Sequence, residues 1–159
     1  MADSATKAQY TPVLGMQLQI STTSSTDPTD ATLVYADLAV TIKQPQYQGA
    51  ASAKIDVTTI ASKSKEYALG LSDPGTFAMS GNWKTTDPAQ IALLAAHADK
   101  KPRVVKSTFP DQSVFACVAL VDQYTWSADP DNVVNGTFNM QVTGSVSIVQ
   151  PPAQQQGGN

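Results

Sequence analysis

The residues of this sequence most capable of chemistry are one histidine, one cysteine and a few carboxylates. His97 is the only histidine, and no glycine pattern of a nucleophile elbow or of an oxyanion loop accompanies it. A histidine-based metal site would need a second histidine. The residue types therefore predict a protein that is not an enzyme and that holds no metal or cofactor.

Cys117 is the only cysteine, so an intrachain disulfide and a cysteine-rich zinc site are both impossible. It lies in the apolar run VFACVALV, which predicts a buried thiol. Asp129 and Asp131, with Asn132, offer a fragment of a calcium loop but lack its bidentate glutamate, so they are interpreted as a turn. The segment GLSDPG lacks the lysine and hydroxyl residue of a nucleotide-binding loop.

Composition limits the remaining classes of function. The chain has 159 residues, of which only 14% are charged, and its net charge is -3 with Arg103 as the only arginine. This length predicts one domain, and the acidic balance argues against a basic surface that grips nucleic acid. The amino terminus lacks a signal-peptide pattern and no window resembles a membrane span, so we expect no membrane insertion and residence in a cytoplasm.

Hydrophobic periodicity predicts a mainly β protein with one helix. Strands are expected over 14–20, 33–43, 76–84, 103–109, 113–126 and 136–149. A helix is expected over about 87–99, because Asp87 can cap it, Pro88 suits its first position and Gln90 could complete a capping box. Its predicted buried face consists of Ile91, Leu94, Ala95 and Ala98.

The stretch 46–66 is too polar for a core and too free of Gly and Pro for a simple hairpin, so it is interpreted as an extended arm. It leads to the turn Asp73-Pro74-Gly75 and then to a strand in which Phe77 and Met79 point inward. The expected organisation is a flexible amino-terminal arm at 1–12, a single β domain over 13–149 that carries the polar arm, and a disordered tail at 150–159.

Aromatic residues leave an alternative open. Trp83 and Trp126 end strands next to polar residues, where they could pack or stack on sugars, so a carbohydrate-binding β-sandwich remains a second hypothesis. Tyr47 is either an interface residue or an ordinary surface tyrosine.

Four runs of the sequence, in this order, resemble the major tail tube proteins of long-tailed bacteriophages with non-contractile tails. They are IDVTTIASKSKEYALGLSDPGTFAMSGNW, the helix QIALLAAHADKK, the strand pair RVVKSTFPDQSVFACVALVDQYTW with its turn at Pro110-Asp111-Gln112, and the last strand GTFNMQVTGSVSIV. The resemblance covers about residues 33–149. The tube subunit of contractile secretion systems shares the architecture and remains an alternative.

The resemblance implies a β-sandwich-like or barrel-like tail-tube fold with one flanking helix. It also implies hexameric rings that stack into a hollow tube in the virion tail, through which DNA passes without specific binding, and contacts with tape-measure, tail-terminator and distal tail proteins. Candidate subunit-interface residues are Tyr47, Gln48, Lys54, Lys63, Lys65, Glu66 and Asp73. Candidate lumen residues, from the polar face of the last strand, are Asn139, Gln141, Thr143, Ser145 and Ser147.

Overall fold

A computed structural model describes residues 9–49 and 51–151. This part of the chain forms nine strands and one helix: β1 (Gln17–Ser21), β2 (Tyr35–Asp37), β3 (Ile42–Gln48), β4 (Ala51–Asp56), β5 (Tyr67–Asp73), β6 (Thr76–Asn82), α1 (Pro88–Asp99), β7 (Arg103–Thr108), β8 (Val114–Ser127) and β9 (Asn135–Val149). Residues 1–8 of the predicted amino-terminal arm and 152–159 of the predicted tail lie outside the described residues. No helix in the described ranges is long and apolar enough to cross a membrane.

The strands form one seven-stranded antiparallel sheet in the order β2-β1-β7-β8-β9-β6-β3, and β4 and β5 form a separate two-stranded ribbon. The predicted fold class, mainly β with one flanking helix, is confirmed.

The short connection between β2 and β3 shows that the sheet curls. These strands lie at opposite edges of the sheet, yet only residues 38–41 join them. Five residue steps reach at most about 18 Å, whereas six strand spacings in a flat sheet would span about 29 Å. The sheet is therefore bent into a half-barrel. Leu38, which lies in the connection between the two edge strands, is fully buried.

The main core fills the concave side of this half-barrel. Phe77 and Met79 of β6 and Phe138, Met140 and Val142 of β9 are all buried there, as their alternation predicts. A smaller cluster lies on the opposite side of the sheet. It consists of Val104, Ala116 and Val118, with Leu33 and Tyr35 packed against it.

Helix α1 begins where the sequence predicts but buries a different face. Asp87 accepts a hydrogen bond from the backbone N of Gln90 at 3.3 Å. The Gln90 amide does not return to Asp87; it accepts from the backbone N of Lys84 at 2.8 Å and donates to the carbonyl O of Asn82 at 2.6 Å. Gln90 is therefore buried, and the helix is rotated by its attachment to the end of β6.

The predicted helix face is wrong except at Leu94, which is partly buried against the main core. Ile91 is 51% exposed. The residues that pack into the core are Ala89, Gln90, Ala92, Leu93 and Ala96.

The predicted strand over 33–43 is also wrong in extent. The Asp37 carboxylate accepts from the backbone N of Ala39 at 2.8 Å and starts a turn, so β2 stops at Asp37. A new strand, β3, runs through Pro45, which had been expected to end a strand. Proline is tolerated there because β3 is an edge strand.

Candidate assembly surfaces

The side of four neighbouring strands that faces away from the main core forms a polar surface, which we call the polar face. Register fixes its rows: Gln46 lies beside Ala78, Ala78 beside Asn139, and Asn139 beside Gln123. Paired residues of adjacent strands point to the same side of a sheet. The full set is Gln44, Gln46 and Gln48 of β3, Thr76, Ala78 and Ser80 of β6, Thr137, Asn139 and Gln141 of β9, and Leu120, Gln123 and Thr125 of β8.

Of the candidate lumen residues, two lie on the polar face. Asn139 and Gln141 belong to it, whereas Thr143 and Ser147 pair with Val118 and Ala116 beside the smaller core cluster. Ser145 falls in the bulge between the two registers of β8 and β9, so it is out of the ladder. Asn139, Gln141 and Thr143 precede this bulge and lie on the same side of the sheet, and Ser147 returns to that side after it, so Ser145 alone is displaced.

The predicted polar arm is a β-hairpin rather than an irregular extended segment. Residues 46–48 belong to β3, and the projecting part, which we call the arm ribbon, comprises β4, β5 and their turn, residues 51–73. Every residue of β4 is exposed, and so is every residue of β5 except Gly70. Tyr67, Leu69 and Leu71 are all exposed on it. A β-bulge places Gly70 and Leu71 opposite Ala53, so the alternation of Tyr67 and Leu69 does not continue to Leu71, which is 95% exposed.

The candidate interface residues separate into three places. Lys54, Lys63, Lys65 and Glu66 lie on the arm ribbon, where all four are exposed. Gln48 ends β3 on the polar face, and Asp73 ends the ribbon. Tyr47 is half-buried: its ring lies 4.7 Å from that of Phe115, and burial raises the pKa of its hydroxyl. The exposed apolar residues of the ribbon, Tyr67, Leu69 and Leu71, were missed in the sequence.

Hydrogen bonds hold the turn at Asp73-Pro74-Gly75 to the seven-stranded sheet. The Tyr47 hydroxyl donates to the carbonyl O of Pro74 at 2.7 Å, and the backbone N of Gly75 donates to the Asp73 carboxylate at 2.9 Å. The Gln141 amide donates to the carbonyl O of Gly75 at 2.9 Å. These bonds fix the direction in which the arm ribbon leaves the sheet.

Two long strand edges are unpaired in the described part of the chain. β3 pairs with β6 on one side only. β7 pairs with β8 from Val114 to Ala119, so Leu120–Ser127 of β8 has a strand partner only in β9. The four-stranded segment β8-β9-β6-β3 therefore carries the polar face and ends in a free edge on each side.

The residues considered for chemistry are not gathered into a site. His97 packs edge-on against Tyr124, with ring centroids 5.0 Å apart. In the described residues no group of three or more His, Cys, Asp or Glu side chains is placed to hold a metal. Trp83 is stacked against both Tyr124 and Phe138, with ring centroids 6.0 and 5.7 Å away. Trp126 is 62% exposed.

No protein-family model and no curated protein sequence matches the chain. Solved structures do. The tail of an empty gene transfer agent (GTA) particle aligns with a TM-score of 0.63 at 13% identity, over 84% of this chain and 95% of that one. The SPP1 tail tube aligns with a TM-score of 0.60 at 14% identity, over 87% of this chain and 80% of that one. The chain has the tail-tube fold.

The tail-tube fold is not confined to one kind of particle. A chain from the sheath/tube terminator structure of an extracellular contractile injection system, PVC, aligns with a TM-score of 0.62 at 9% identity, over 91% of this chain and 99% of that one. The fold therefore agrees with the predicted resemblance to tail tube proteins, and it is shared by contractile systems as well as by phage-like tails.

Proposed function

We propose that this chain is a structural subunit that associates into hexameric rings, which stack into a hollow tail tube of a virion. The observation that carries the proposal is the four-stranded segment β8-β9-β6-β3, with its polar face and a free strand edge on each side. The subunit has no catalytic activity and binds no cofactor.

Ring closure follows from the strand directions. Because each strand of the segment is antiparallel to the next, β3 of one copy runs opposite to β8 of a following copy and can extend the sheet. Closure into a ring removes the free edges, which would otherwise promote aggregation. Six copies of four strands give about 24 strands, or roughly 115 Å of circumference at about 4.8 Å per strand. The backbone ring would be about 37 Å across, and wider when its strands tilt.

The polar face would line this tube. Its glutamine, asparagine, threonine and serine side chains carry no charge, and the acidic Asp122 lies in the same depression as Asn139 and Gln141. A surface without lysine or arginine gives the phosphates of DNA no counter-charge to bind, so DNA would pass through without being held. Asn139 and Gln141 are the candidate lumen residues best placed for this role, and Thr143, Ser145 and Ser147 would lie further along the tube wall.

The arm ribbon would join successive rings. An isolated two-stranded hairpin is marginally stable in water, and Tyr67, Leu69 and Leu71 are exposed on this one. A neighbouring ring would cover them, with Lys54, Lys63, Lys65, Glu66 and Asp73 at the border of the contact and Tyr47 and Gln48 at its base. The amino-terminal arm at 1–12 would contact adjacent subunits as well.

In a virion the tube would end on tail-terminator and distal tail proteins and enclose a tape-measure protein. A tube inside a contractile system is the second candidate, favoured by the alignment with the PVC chain. The two differ in whether a sheath surrounds the tube. Purification of the native particle and identification of its proteins separates them, because only the contractile system contains a sheath protein.

Removal of the arm ribbon tests whether the four-stranded segment forms the rings and the ribbon stacks them. Deletion of residues 51–73 leaves Gln48 and Thr76, which are already paired, at the ends of a short hairpin turn. We expect a folded protein that forms single rings but no tubes, as seen by electron microscopy and circular dichroism. Tubes of normal length after the deletion would show that the ribbon does not join the rings, and an unfolded product would show that the ribbon belongs to the core.

A further inference from the structure

An apolar groove of about 420 Å³ lies beside the free edge of β3. Pro45 and Tyr47 line it from β3, and Met16, Phe109 and Phe115 line its other wall. Tyr47 and Phe115 pack on each other at its base, where Tyr47 reaches the main core. The groove therefore presents an apolar surface next to the edge of β3 that lacks a strand partner in the described chain.

The other free edge carries exposed aromatic side chains. Tyr124 and Trp126 lie opposite Phe138 and Gly136 of β9, which places them on the core side of the sheet rather than on the polar face. Even so, Tyr124 is 40% and Trp126 62% exposed. Trp126 is thus a large apolar side chain on the sheet's core side that its own copy leaves largely uncovered.

These two features do not meet within one copy, because Trp126 lies eleven residues along β8 from Phe115, the residue of β8 that lines the groove. They can meet between copies. If β8 of one copy extends the sheet beyond β3 of the next, the core side of β8 and the core side of β3 become one surface. Trp126 then points to the side on which the groove lies.

The charges of the two edges agree with such a pairing. Lys43 is the only charged residue of β3, and Asp122 is the only one in Leu120–Ser127 of β8. No register of the two strands therefore brings like charges together. Because the groove extends along β3 from Lys43 to Tyr47, a shift of a few residues still leaves Trp126 beside it.

We propose that Trp126 of one copy, flanked by Tyr124, is buried in the groove beside β3 of the adjacent copy in the ring. This assignment rests on the proposed function, since it requires a ring in which β8 and β3 of neighbouring copies meet. Buried tryptophan is the side chain that most often dominates the stability of an interface. The contact is heterologous, so each copy donates one Trp126 and accepts another.

Trp126→Ala is the first test. Since the side chain is largely exposed in the single copy, the variant should fold normally, and the protein concentration needed for ring formation should rise about tenfold or more. Ile91→Ala, which truncates a half-exposed apolar residue on α1, is the matched control and should form rings as the wild type does. Thermal unfolding of both variants checks the fold.

Mixing two variants tests the direction of the contact. Pro45→Arg places a charged side chain in the groove while Trp126 remains, and Trp126→Ala removes the donor while the groove remains. At a concentration at which the wild type forms rings and Trp126→Ala does not, each variant alone should stay monomeric. A one-to-one mixture should give a heterodimer by sedimentation, because only one productive contact is available. Growth of the mixture into rings would overturn the proposal.

The outcomes separate this inference from the proposed function. Wild-type protein that never forms rings contradicts both. Wild-type and Trp126→Ala proteins that form rings at the same concentration overturn the Trp126 contact alone. Loss of rings in Pro45→Arg but not in Trp126→Ala would overturn it as well, since the groove would then receive another segment, such as the arm ribbon.

Discussion

The thiol of Cys117 is buried in the main core, which should make it unreactive in the folded protein. The residue is fully buried between Val105 of β7 and Val146 of β9, and burial raises the pKa of its thiol to about 12. We expect the thiol to resist maleimide at mildly alkaline pH until the protein is unfolded. Mass measurement of native and denatured samples checks this, and rapid labelling of native protein would contradict it.

The same site should discriminate between two small substitutions. Cys117→Ser places a hydroxyl in an apolar cluster and should lower the free energy of unfolding by about 1–3 kcal/mol more than an apolar replacement does. Cys117→Ala is the control, since it removes the sulfur without adding a polar group. Equal stability of the two variants in urea unfolding would mean that the hydroxyl finds a partner.

Asp99 should contribute to stability in a pH-dependent way. The hydrogen bond from the Arg103 guanidinium, at 2.8 Å, is the main cause that lowers the pKa of Asp99 below its ordinary value of 3.8, and the backbone N of Lys101 adds to it. A lowered folded-state pKa gives stability that is complete above the ordinary value and is lost as the pH falls through the lower, folded value. Asp99→Asn should therefore be less stable than wild type at neutral pH.

The difference between these two proteins should disappear in acid, because both then lack a charge at residue 99. Urea unfolding at a series of pH values measures it. Asp131→Asn removes an exposed carboxylate to which no described residue donates a hydrogen bond, and it serves as the control. A difference that persists unchanged in acid would show that the Asp99 charge is not what stabilises the fold.

At the scale of elements, a substitution in the turn Asp73-Pro74-Gly75, at the base of the arm ribbon, should destabilise the fold more than one in the bulge of β9. Gly75 has φ +97°, and a Cβ there would lie 2.0 Å from the carbonyl O of Gln48. Gly144 has φ +73°, but nothing lies within 4 Å of a Cβ added to it. Gly144→Ala should cost about 1 kcal/mol from backbone strain alone, whereas Gly75→Ala should cost more and should also impair stacking of rings.

Urea unfolding and electron microscopy of the two alanine variants test this comparison. If Gly75→Ala were no more destabilising than Gly144→Ala and still formed full tubes, the clamped turn would have no role in directing the ribbon.

The elements that could be predicted from the sequence are those with strong local signals. The helix was located by Asp87 and Pro88, and the alternation of Phe138 and Met140 located the core side of β9. The buried face of α1 was not predictable from periodicity, since it depends on hydrogen bonds from Gln90 to the end of β6. The strand that contains Pro45 was missed because proline is excluded from paired strands and allowed only at an edge.

The surfaces of the candidate site were predictable to a smaller extent. The polar face of β9 was visible as alternation, but its continuation across Gln46 and Gln123 required the order of strands, which short-range patterns do not contain. The bulge that separates Ser145 from Asn139 leaves little signal in the sequence apart from Gly144. The interface roles of Lys54, Lys63, Lys65, Glu66 and Asp73 stay predictions.

At the scale of the whole molecule, the curled sheet explains why this chain needs neighbours. The half-barrel buries a core of its own. In the described chain, however, β3 and the second half of β8 each have one edge without a strand partner, and Tyr67, Leu69 and Leu71 of the arm ribbon are exposed. Association into rings would pair the edges, and stacking would cover the ribbon.

Electron microscopy of the purified full-length chain at high concentration tests the central claim most directly. We expect hexameric rings and hollow tubes whose channel is wide enough for double-stranded DNA, with an antiparallel β wall. A protein that stays monomeric at all concentrations, with native circular dichroism and no rings in the micrographs, would contradict the account.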